Sequence, residues 1–165
     1  MEKKEKSLLE GKRILIADDE PDVLEILEDL LSMCQVTKAT KFEQAKEQLE
    51  TQKFDFAILD IMGINGYKLL EIAVEKDVTV VMLTAHAMSL EDTMKSFNKG
   101  AASYVPKDEM GKIEQFLLDI LEARQKGKSL WWKWMERLDA YYAVKFGKDW
   151  QEGNKEFWKR LTFHI

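Results

Sequence analysis

Four apolar runs of this sequence lead directly into polar side chains that could do chemistry. The first run is followed by three acids, Asp18, Asp19 and Glu20. The other three runs end at or are followed by one polar side chain each: the acid Asp60, the hydroxyl of Thr84 and the amine of Lys107. A carboxylate at the end of a buried strand costs free energy unless another group compensates its charge. The pattern therefore predicts a site in which acids lie near a cation.

Crowded acids need a compensating positive charge. Two carboxylates about 4 Å apart repel each other by roughly 4 kcal/mol at an effective dielectric near 20. Mg²⁺ binds one or two carboxylates together with backbone oxygen and water. A metal at Asp18 and Asp19, with the Lys107 ammonium nearby, would make Asp60 tolerable and would also stabilise a phosphoryl group on Asp60. In the alternative interpretation, these aspartates only cap the helices that follow.

Five short apolar runs must position these side chains. Runs of this length without polar alternation are typical of parallel strands that are buried on both faces. They occupy residues 13–18, 35–40, 54–60, 78–83 and 102–105, with amphipathic stretches of helical length between them. Strands that alternate with helices predict an α/β fold with a doubly wound, five-stranded parallel sheet. The carboxyl ends of such strands meet at one edge, where ligands bind.

Start signals precede most of the predicted helices. Proline fits the first helical position, and a Ser or Thr followed three residues later by an acid is typical of a helix start. The signals are Pro21, Thr40 with Glu43, Ser89 with Asp92, and Asp108 before the last helix of this region.

The segments that carry these residues resemble the receiver domain of two-component response regulators. They are "ILIADDEPDVLEIL", "FAILDIMGINGYKLL", "VVMLTAHA" and "GAASYVPK", and the resemblance covers about residues 11–126. It implies a flavodoxin-like fold and a signalling domain rather than an enzyme. Such a domain accepts a phosphoryl group from a sensor histidine kinase or a phosphotransfer protein, as in a phosphorelay.

The resemblance also implies a role for each matching residue. Asp60 would be the phosphoacceptor, and Thr84 and Lys107 would contact the phosphoryl group. Tyr104 would be the aromatic switch that turns inward on activation, although a half-buried strand aromatic is an equally good interpretation. The implied Mg²⁺ ligands are the carboxylates of Asp18, Asp19 and Asp60 and the backbone carbonyl of Met62. His86 is interpreted as an exposed loop residue.

The sequence departs from the family pattern at two places. Ile64 stands where the family usually has proline, and Gly66 follows the phosphoacceptor by six residues instead of about eight. The loop after the third strand is therefore about two residues shorter, which bears on partner docking and on acyl-phosphate lifetime. Asp108 follows Lys107 where the family often has proline, so we expect a trans peptide bond there.

The last 38 residues differ in composition from the rest. Residues 1–127 carry 17 basic and 25 acidic side chains, whereas residues 128–165 carry 8 and 5 and hold all five tryptophans. Ser129 and Asp149 with Glu152 predict two short aromatic helices that cannot bury their apolar faces alone. We therefore expect a receiver at 11–126 and a helical extension at 128–165 that forms a homodimer, binds a protein partner, or covers the receiver.

Composition limits the other classes of function. No apolar run approaches the roughly 20 residues of a membrane helix, and a single cysteine fits a cytoplasmic protein. A net charge of +3 in the extension is a weak electrostatic signal for nucleic-acid binding.

Two alternative functions stay open: a scaffold with the same fold that needs no phosphorylation, and an aspartate-nucleophile phosphatase. The phosphatase usually needs a second acid at the position of Met62.

Overall fold

The structure is a computed structural model that describes residues 8–85, 89–127 and 131–163 of the chain. The side chains of residues 131, 132 and 160–163 are not described. His86 and Ser129, for which the sequence predicts a loop position and a helix cap, lie outside the described residues.

Five parallel strands form one sheet, as predicted. Each strand falls within one of the apolar runs or extends it by a single residue: β1 (Arg13–Ala17), β2 (Gln35–Ala39), β3 (Phe56–Asp60), β4 (Thr79–Thr84) and β5 (Ser103–Pro106). Every residue of β3 and β4 is buried. This burial explains why their sequences show no polar alternation.

Helices follow the strands, and two further helices end the chain. They are α1 (Pro21–Leu30), α2 (Phe42–Thr51), α3 (Gly66–Glu75), α4 (Leu90–Asn98), α5 (Ile113–Lys126), α6 (Trp131–Phe146) and α7 (Lys155–Phe163). Short 3-10 turns at Lys107–Lys112 and Glu152–Asn154 precede α5 and α7. None of the helices in the described part of the chain is both long and apolar enough to span a bilayer.

Two of the predicted helix starts are confirmed. Pro21 is the first residue of α1. The Ser89 hydroxyl oxygen accepts a hydrogen bond from the Asp92 N–H at the start of α4.

Helix α2 begins at Phe42 as predicted, but the predicted capping box of Thr40 and Glu43 is wrong, since the Thr40 N–H donates to the Gln44 side chain and no side chain caps the helix. Two other predicted helix starts are also wrong. Asp108 lies inside the first 3-10 turn and caps no α-helix. The Glu152 N–H donates to the backbone carbonyl of Asp149, and α7 starts only after the second 3-10 turn.

The strand order is β2-β1-β3-β4-β5. This is the flavodoxin-like arrangement, in which the chain reverses its direction across the sheet between β1 and β3. The two strands that carry the acids are therefore neighbours. Next to them, β4 and β5 bring Thr84 and Lys107 toward the same edge.

The chain divides into two compact units, one ending at Gln115 and one beginning at Phe116. The second unit contains an aromatic cluster. Its ring centroids lie 4.8 Å apart for Tyr142 and Trp150, and 5.2 Å apart for Trp150 and Trp158. These three side chains and that of Trp134 are buried. The extension therefore does not expose these aromatic rings as a docking surface.

An ion pair inside this second unit joins α5 to α6. The guanidinium of Arg137 donates two hydrogen bonds to the Asp119 carboxylate, which is buried. The Asp119 carboxylate raises the pKa of Arg137 by these hydrogen bonds, although burial acts in the opposite direction.

Replacing Arg137 by Leu should lower the unfolding free energy of the second unit by about 2 kcal/mol, because a buried carboxylate loses its hydrogen-bond partner. Tryptophan fluorescence in urea measures this effect selectively, since every tryptophan lies in the extension. The matched control is the double variant Asp119→Leu/Arg137→Leu, which should recover most of the loss. Equal loss in both variants would show that the ion pair itself is not the cause.

Candidate functional site

The sheet brings the two acidic strand ends together. In the register of β1 and β3, Ala17 is paired with Leu59, so Asp18 and Asp60 follow at the same level. Both carboxylates are buried, with relative exposures of 0% for Asp18 and 4% for Asp60. Two buried acids on neighbouring strands need a cation close by.

Lys107 provides a positive charge in this site. Its Nζ lies 2.9 Å from Asp18 Oδ2, 2.8 Å from Glu20 Oε1 and 3.4 Å from Asp60 Oδ1. The lysine follows β5, whose last residue Pro106 is paired with Thr84 of β4. One ammonium group therefore contacts acids from two other strand ends.

Burial and charge act in opposite directions on the three groups. Burial raises the pKa of Asp18 and of Asp60, and Lys107 only partly offsets this increase. Burial would lower the pKa of Lys107, but its bonds to Glu20 and Asp18 outweigh burial and raise that pKa. Lys107 therefore stays protonated. The raised pKa values of Asp18 and Asp60 indicate that one ammonium group does not fully compensate the burial of two carboxylates, so a further cation would stabilise them.

The loop after β3 lies tightly against the phosphoacceptor candidate. The Gly63 N–H donates to Asp60 Oδ2 at 3.1 Å. A Cβ on Gly63 would lie 2.2 Å from the Asp19 carboxylate, and one on Gly66 would lie 2.1 Å from the Asp60 carbonyl oxygen. The backbone atoms around Gly66 leave no room for a side chain there, whereas a side chain at Gly63 would displace the Asp19 carboxylate.

Asn65 ends this loop in the left-handed conformation, with φ of 55°. The Gly66 N–H then donates to the Ile61 carbonyl at 3.0 Å, and α3 begins. Met62, whose backbone carbonyl is a predicted metal ligand, has an exposed side chain.

Thr84 and Tyr104 lie on the two strands that follow β3 in the sheet. Thr84 is buried, and its hydroxyl donates a long 3.4 Å hydrogen bond to the Ala85 carbonyl. Tyr104 is paired with Met82 and is fully buried. Tyr104 is thus a strand aromatic, as in the alternative interpretation, but it is more deeply buried than that interpretation predicted.

Glu20 belongs to the site, although its sequence position alone did not identify it as a ligand. Carboxylate oxygens of Asp18, Asp19 and Glu20 all lie within 4.8 Å of one another. Among the described residues, this trio is the one acidic or histidine cluster that could share a metal ion, and it does not include Asp60. The signal in the sequence was the uninterrupted run "DDE".

These residues fit a hard divalent cation. All candidate side-chain ligands are carboxylate oxygens, the donor type that Mg²⁺ prefers. The only cysteine, Cys34, lies elsewhere, and its thiol donates to the Leu9 carbonyl. The donor chemistry therefore favours Mg²⁺ over zinc or copper.

Comparison with known proteins gives a consistent result. A family model described as "Response regulator receiver domain" matches residues 14–117. The two-component response regulator ARR18 of Arabidopsis thaliana is 40% identical over 103 residues, which are 59% of this chain and 16% of that relative. ORR24 of Oryza sativa subsp. indica is 38% identical over 104 residues, again 59% of this chain and 16% of that relative. The chain thus matches less than a fifth of the length of these curated relatives.

A solved structure shows the same likeness. The crystal structure of a CheY-like response regulator receiver domain protein from Methanospirillum hungatei JF-1 has a TM-score of 0.58 and 28% sequence identity. The alignment covers 69% of this chain and 98% of that one. Nearly all of that receiver domain protein therefore has its counterpart here.

Proposed function

The chain belongs to the response-regulator receiver family, and on that premise we propose that it accepts a phosphoryl group on Asp60 with the help of Mg²⁺. Receiver domains of two-component systems generally take this group from histidine kinases and act as signalling domains rather than as enzymes. The single observation that carries the proposal is the Lys107 ammonium, which contacts Asp18 and Asp60 from neighbouring strand ends.

Each residue of the site has a task in this proposal. Asp60 attacks the phosphorus of the donor through a carboxylate oxygen, and the bond from phosphorus to the donor breaks, leaving an acyl phosphate. The Lys107 ammonium neutralises negative charge on the oxygens of the transferred phosphoryl group, and the Gly63 N–H donates a hydrogen bond to one of them. The carboxylates of Asp18 and Asp19 and the Met62 carbonyl would hold Mg²⁺, which supplies further positive charge when bound.

The signal would leave the site through Thr84 and Tyr104. A phosphoryl group adds a charge of about −2. Thr84 would move its hydroxyl from the long bond with Ala85 toward this group, and the buried Tyr104 would hold the rearranged strands. The output would be a changed surface for a protein partner.

The domain bounds and the cellular setting are part of the proposal. We assign residues 11–126 to the receiver and 128–165 to the helical extension. A sensor histidine kinase or phosphotransfer protein in the cytoplasm would supply the phosphoryl group. The extension would serve a homodimer or a protein partner through a surface other than its buried aromatic cluster.

The test is labelling of the wild-type protein by a small phosphodonor, with and without Mg²⁺. We expect one phosphoryl group per chain with the metal, removable by hydroxylamine as an acyl phosphate should be. No label under any condition would overturn the proposal and favour the phosphorylation-independent scaffold. Catalytic turnover of a phosphorylated metabolite would instead favour a phosphatase, although Met62 offers no second acid.

Replacing Gly63 by Ala should weaken Mg²⁺ binding about tenfold, because the added methyl group displaces the Asp19 carboxylate. Asp19 is exposed and can rotate away, so the fold itself should keep its stability. Isothermal titration calorimetry measures the affinity. Gly111→Ala is the control, since a Cβ there meets nothing within 4 Å. Equal affinities in the two variants would remove Asp19 from the metal site.

A further inference from the structure

The Lys107 ammonium is shared unequally among the carboxylates of the site. Its Nζ lies 2.8 Å from Glu20 Oε1 and 2.9 Å from Asp18 Oδ2, but 3.4 Å from Asp60 Oδ1. Hydrogen bonds between an ammonium and a carboxylate are usually about 2.7–2.9 Å long. In the resting protein, Glu20 and Asp18 therefore hold Lys107 more closely than the phosphoacceptor candidate does.

Glu20 differs from the other two partners of Lys107 in its exposure. The Glu20 side chain is 59% exposed, whereas Asp18 and Asp60 are buried. Asp18 is also a proposed metal ligand and Asp60 the proposed phosphoacceptor, but the proposed function gives Glu20 no task. Its contact with Lys107 is thus the one that a substitution can remove without changing the buried acids.

The local backbone explains how the Glu20 carboxylate can bond to Lys107. Glu20 directly precedes α1 in an extended conformation, with φ of −97° and ψ of 108°. A side chain at this position often accepts a hydrogen bond from the first turn of the helix, but that of Glu20 does not cap α1. The Glu20 N–H donates to Asp18 Oδ1 at 2.9 Å, which fixes its backbone beside the site. The carboxylate therefore bonds to Lys107 and takes no part in starting the helix.

A phosphoryl group on Asp60 would compete with Glu20 for Lys107. An ammonium has three N–H donors, and three carboxylates already surround this one. The phosphoryl group carries a charge of about −2 and needs positive charge close to its oxygens. Glu20 draws the ammonium away from Asp60 and offsets part of its positive charge.

We propose that Glu20 is a positioning residue that holds Lys107 away from Asp60 in the resting protein and so slows phosphorylation. The inference rests on the proposed function, because it concerns the rate of that reaction. Without the charge of Glu20, the ammonium is held only by Asp18 and Asp60. Lys107 then lies closer to the incoming phosphoryl oxygens and stabilises the transition state more strongly.

Asp22 provides a matched control for the loss of one negative charge. It lies in the first turn of α1, two residues after Glu20, and is exposed. Within the described part of the chain, the ion pairs of Lys107 are with Asp18, Glu20 and Asp60, and Asp22 is not among them. If any negative charge near the site slowed phosphorylation, neutralising either Glu20 or Asp22 would have the same effect.

The experiment measures the rate of labelling by a small anionic phosphodonor at saturating Mg²⁺ for wild type, Glu20→Gln and Asp22→Asn. Glutamine keeps the length of the side chain and an acceptor oxygen, and it removes only the charge. We expect Glu20→Gln to be labelled about fivefold faster than wild type, at the upper end for an ion pair with one exposed partner, and Asp22→Asn to stay within about twofold. The gain should shrink at high salt, because salt screens an exposed charge.

A second variant, Glu20→Asp, separates the ion pair from the charge itself. Aspartate keeps the charge, but its side chain is one methylene group shorter, and at this position it would accept hydrogen bonds from the first turn of α1. Its carboxylate should therefore release Lys107, and labelling should again be faster than in wild type. A rate equal to that of wild type would overturn the positioning role, because the charge alone would then set the rate.

The other possible failures are distinct. Labelled wild type with an equal or slower rate for Glu20→Gln would overturn this inference and leave the proposed function standing. Slower labelling that recovers at higher Mg²⁺ concentration would also overturn it and would identify Glu20 as a metal ligand. An equal gain in Asp22→Asn would show a general effect of charge and overturn the role of the ion pair. No label on wild type would overturn the proposed function and this inference with it.

Discussion

Protein carrying Asp60→Asn should take up no phosphoryl group from a small phosphodonor, a fall of about a hundredfold or more to background. The amide has nearly the same shape as the carboxylate, but it is a poor nucleophile and cannot form an acyl phosphate. Lys107 keeps its contacts with Asp18 and Glu20. The variant should therefore fold normally, and circular dichroism checks this.

The matched control for this variant is Asp55→Asn. Asp55 precedes β3 at the opposite edge of the sheet, where its carboxylate accepts a hydrogen bond from the Arg13 N–H. An amide oxygen can still accept that bond, so labelling should match wild type. If Asp60→Asn were labelled as strongly as Asp55→Asn, Asp60 would not be the phosphoacceptor.

Replacing Gly66 by Ala should destabilise the receiver by about 3 kcal/mol, at the upper end of the range for overpacking. The added Cβ would lie 2.1 Å from the carbonyl oxygen of Asp60 and 2.8 Å from the Ile61 Cα. Both are backbone atoms, so neither can rotate away as a side chain can. Either β3 or the start of α3 must shift, which would also displace the phosphoacceptor.

Residues 8–115 contain no tryptophan, so tryptophan fluorescence cannot follow the unfolding of this part of the chain. Far-ultraviolet circular dichroism in urea therefore measures the change in stability. Gly111→Ala again serves as the control, and its stability should stay within about 0.5 kcal/mol of wild type. Equal stability of the two variants would show that the close approach at Gly66 is not a constraint in solution.

The strands and the polar side chains at their ends could be predicted from the sequence. Buried parallel strands have a strong signal, since their apolar runs are short and end abruptly at polar residues such as Asp60 and Thr84. The edge at which those residues meet follows from parallel topology alone. The family resemblance then supplied the flavodoxin-like fold and the expected role of each residue.

Local hydrogen bonding explains the failed capping predictions. The pair Thr40 and Glu43 has the spacing of a capping box, but the Gln44 side chain bonds to the Thr40 N–H instead. The 3-10 turn at Lys107–Lys112 delays the start of α5 to Ile113. The 3-10 turn at Glu152–Asn154 likewise delays the start of α7 to Lys155. Spacing alone does not distinguish these bonds, because side chains near a helix start compete for the same backbone groups.

Two further features depend on tertiary contacts that sequence periodicity does not contain. The Tyr67 hydroxyl in α3 donates a hydrogen bond to Asp92 in α4, 25 residues later in the chain. The aromatic side chains of the extension bury one another through Tyr142, Trp150 and Trp158. The sequence indicated that these rings needed cover, but not that they would cover each other.

The most direct test of Asp60 as a metal-dependent phosphoacceptor is to locate the phosphoryl group on the wild-type chain. Labelled protein is reduced with borohydride, which converts an aspartyl phosphate to homoserine, and its peptides are identified by mass spectrometry. We expect a single modified position, Asp60, and only when Mg²⁺ was present during labelling. Modification at another residue, or equal modification of Asp60 without the metal, would contradict this assignment.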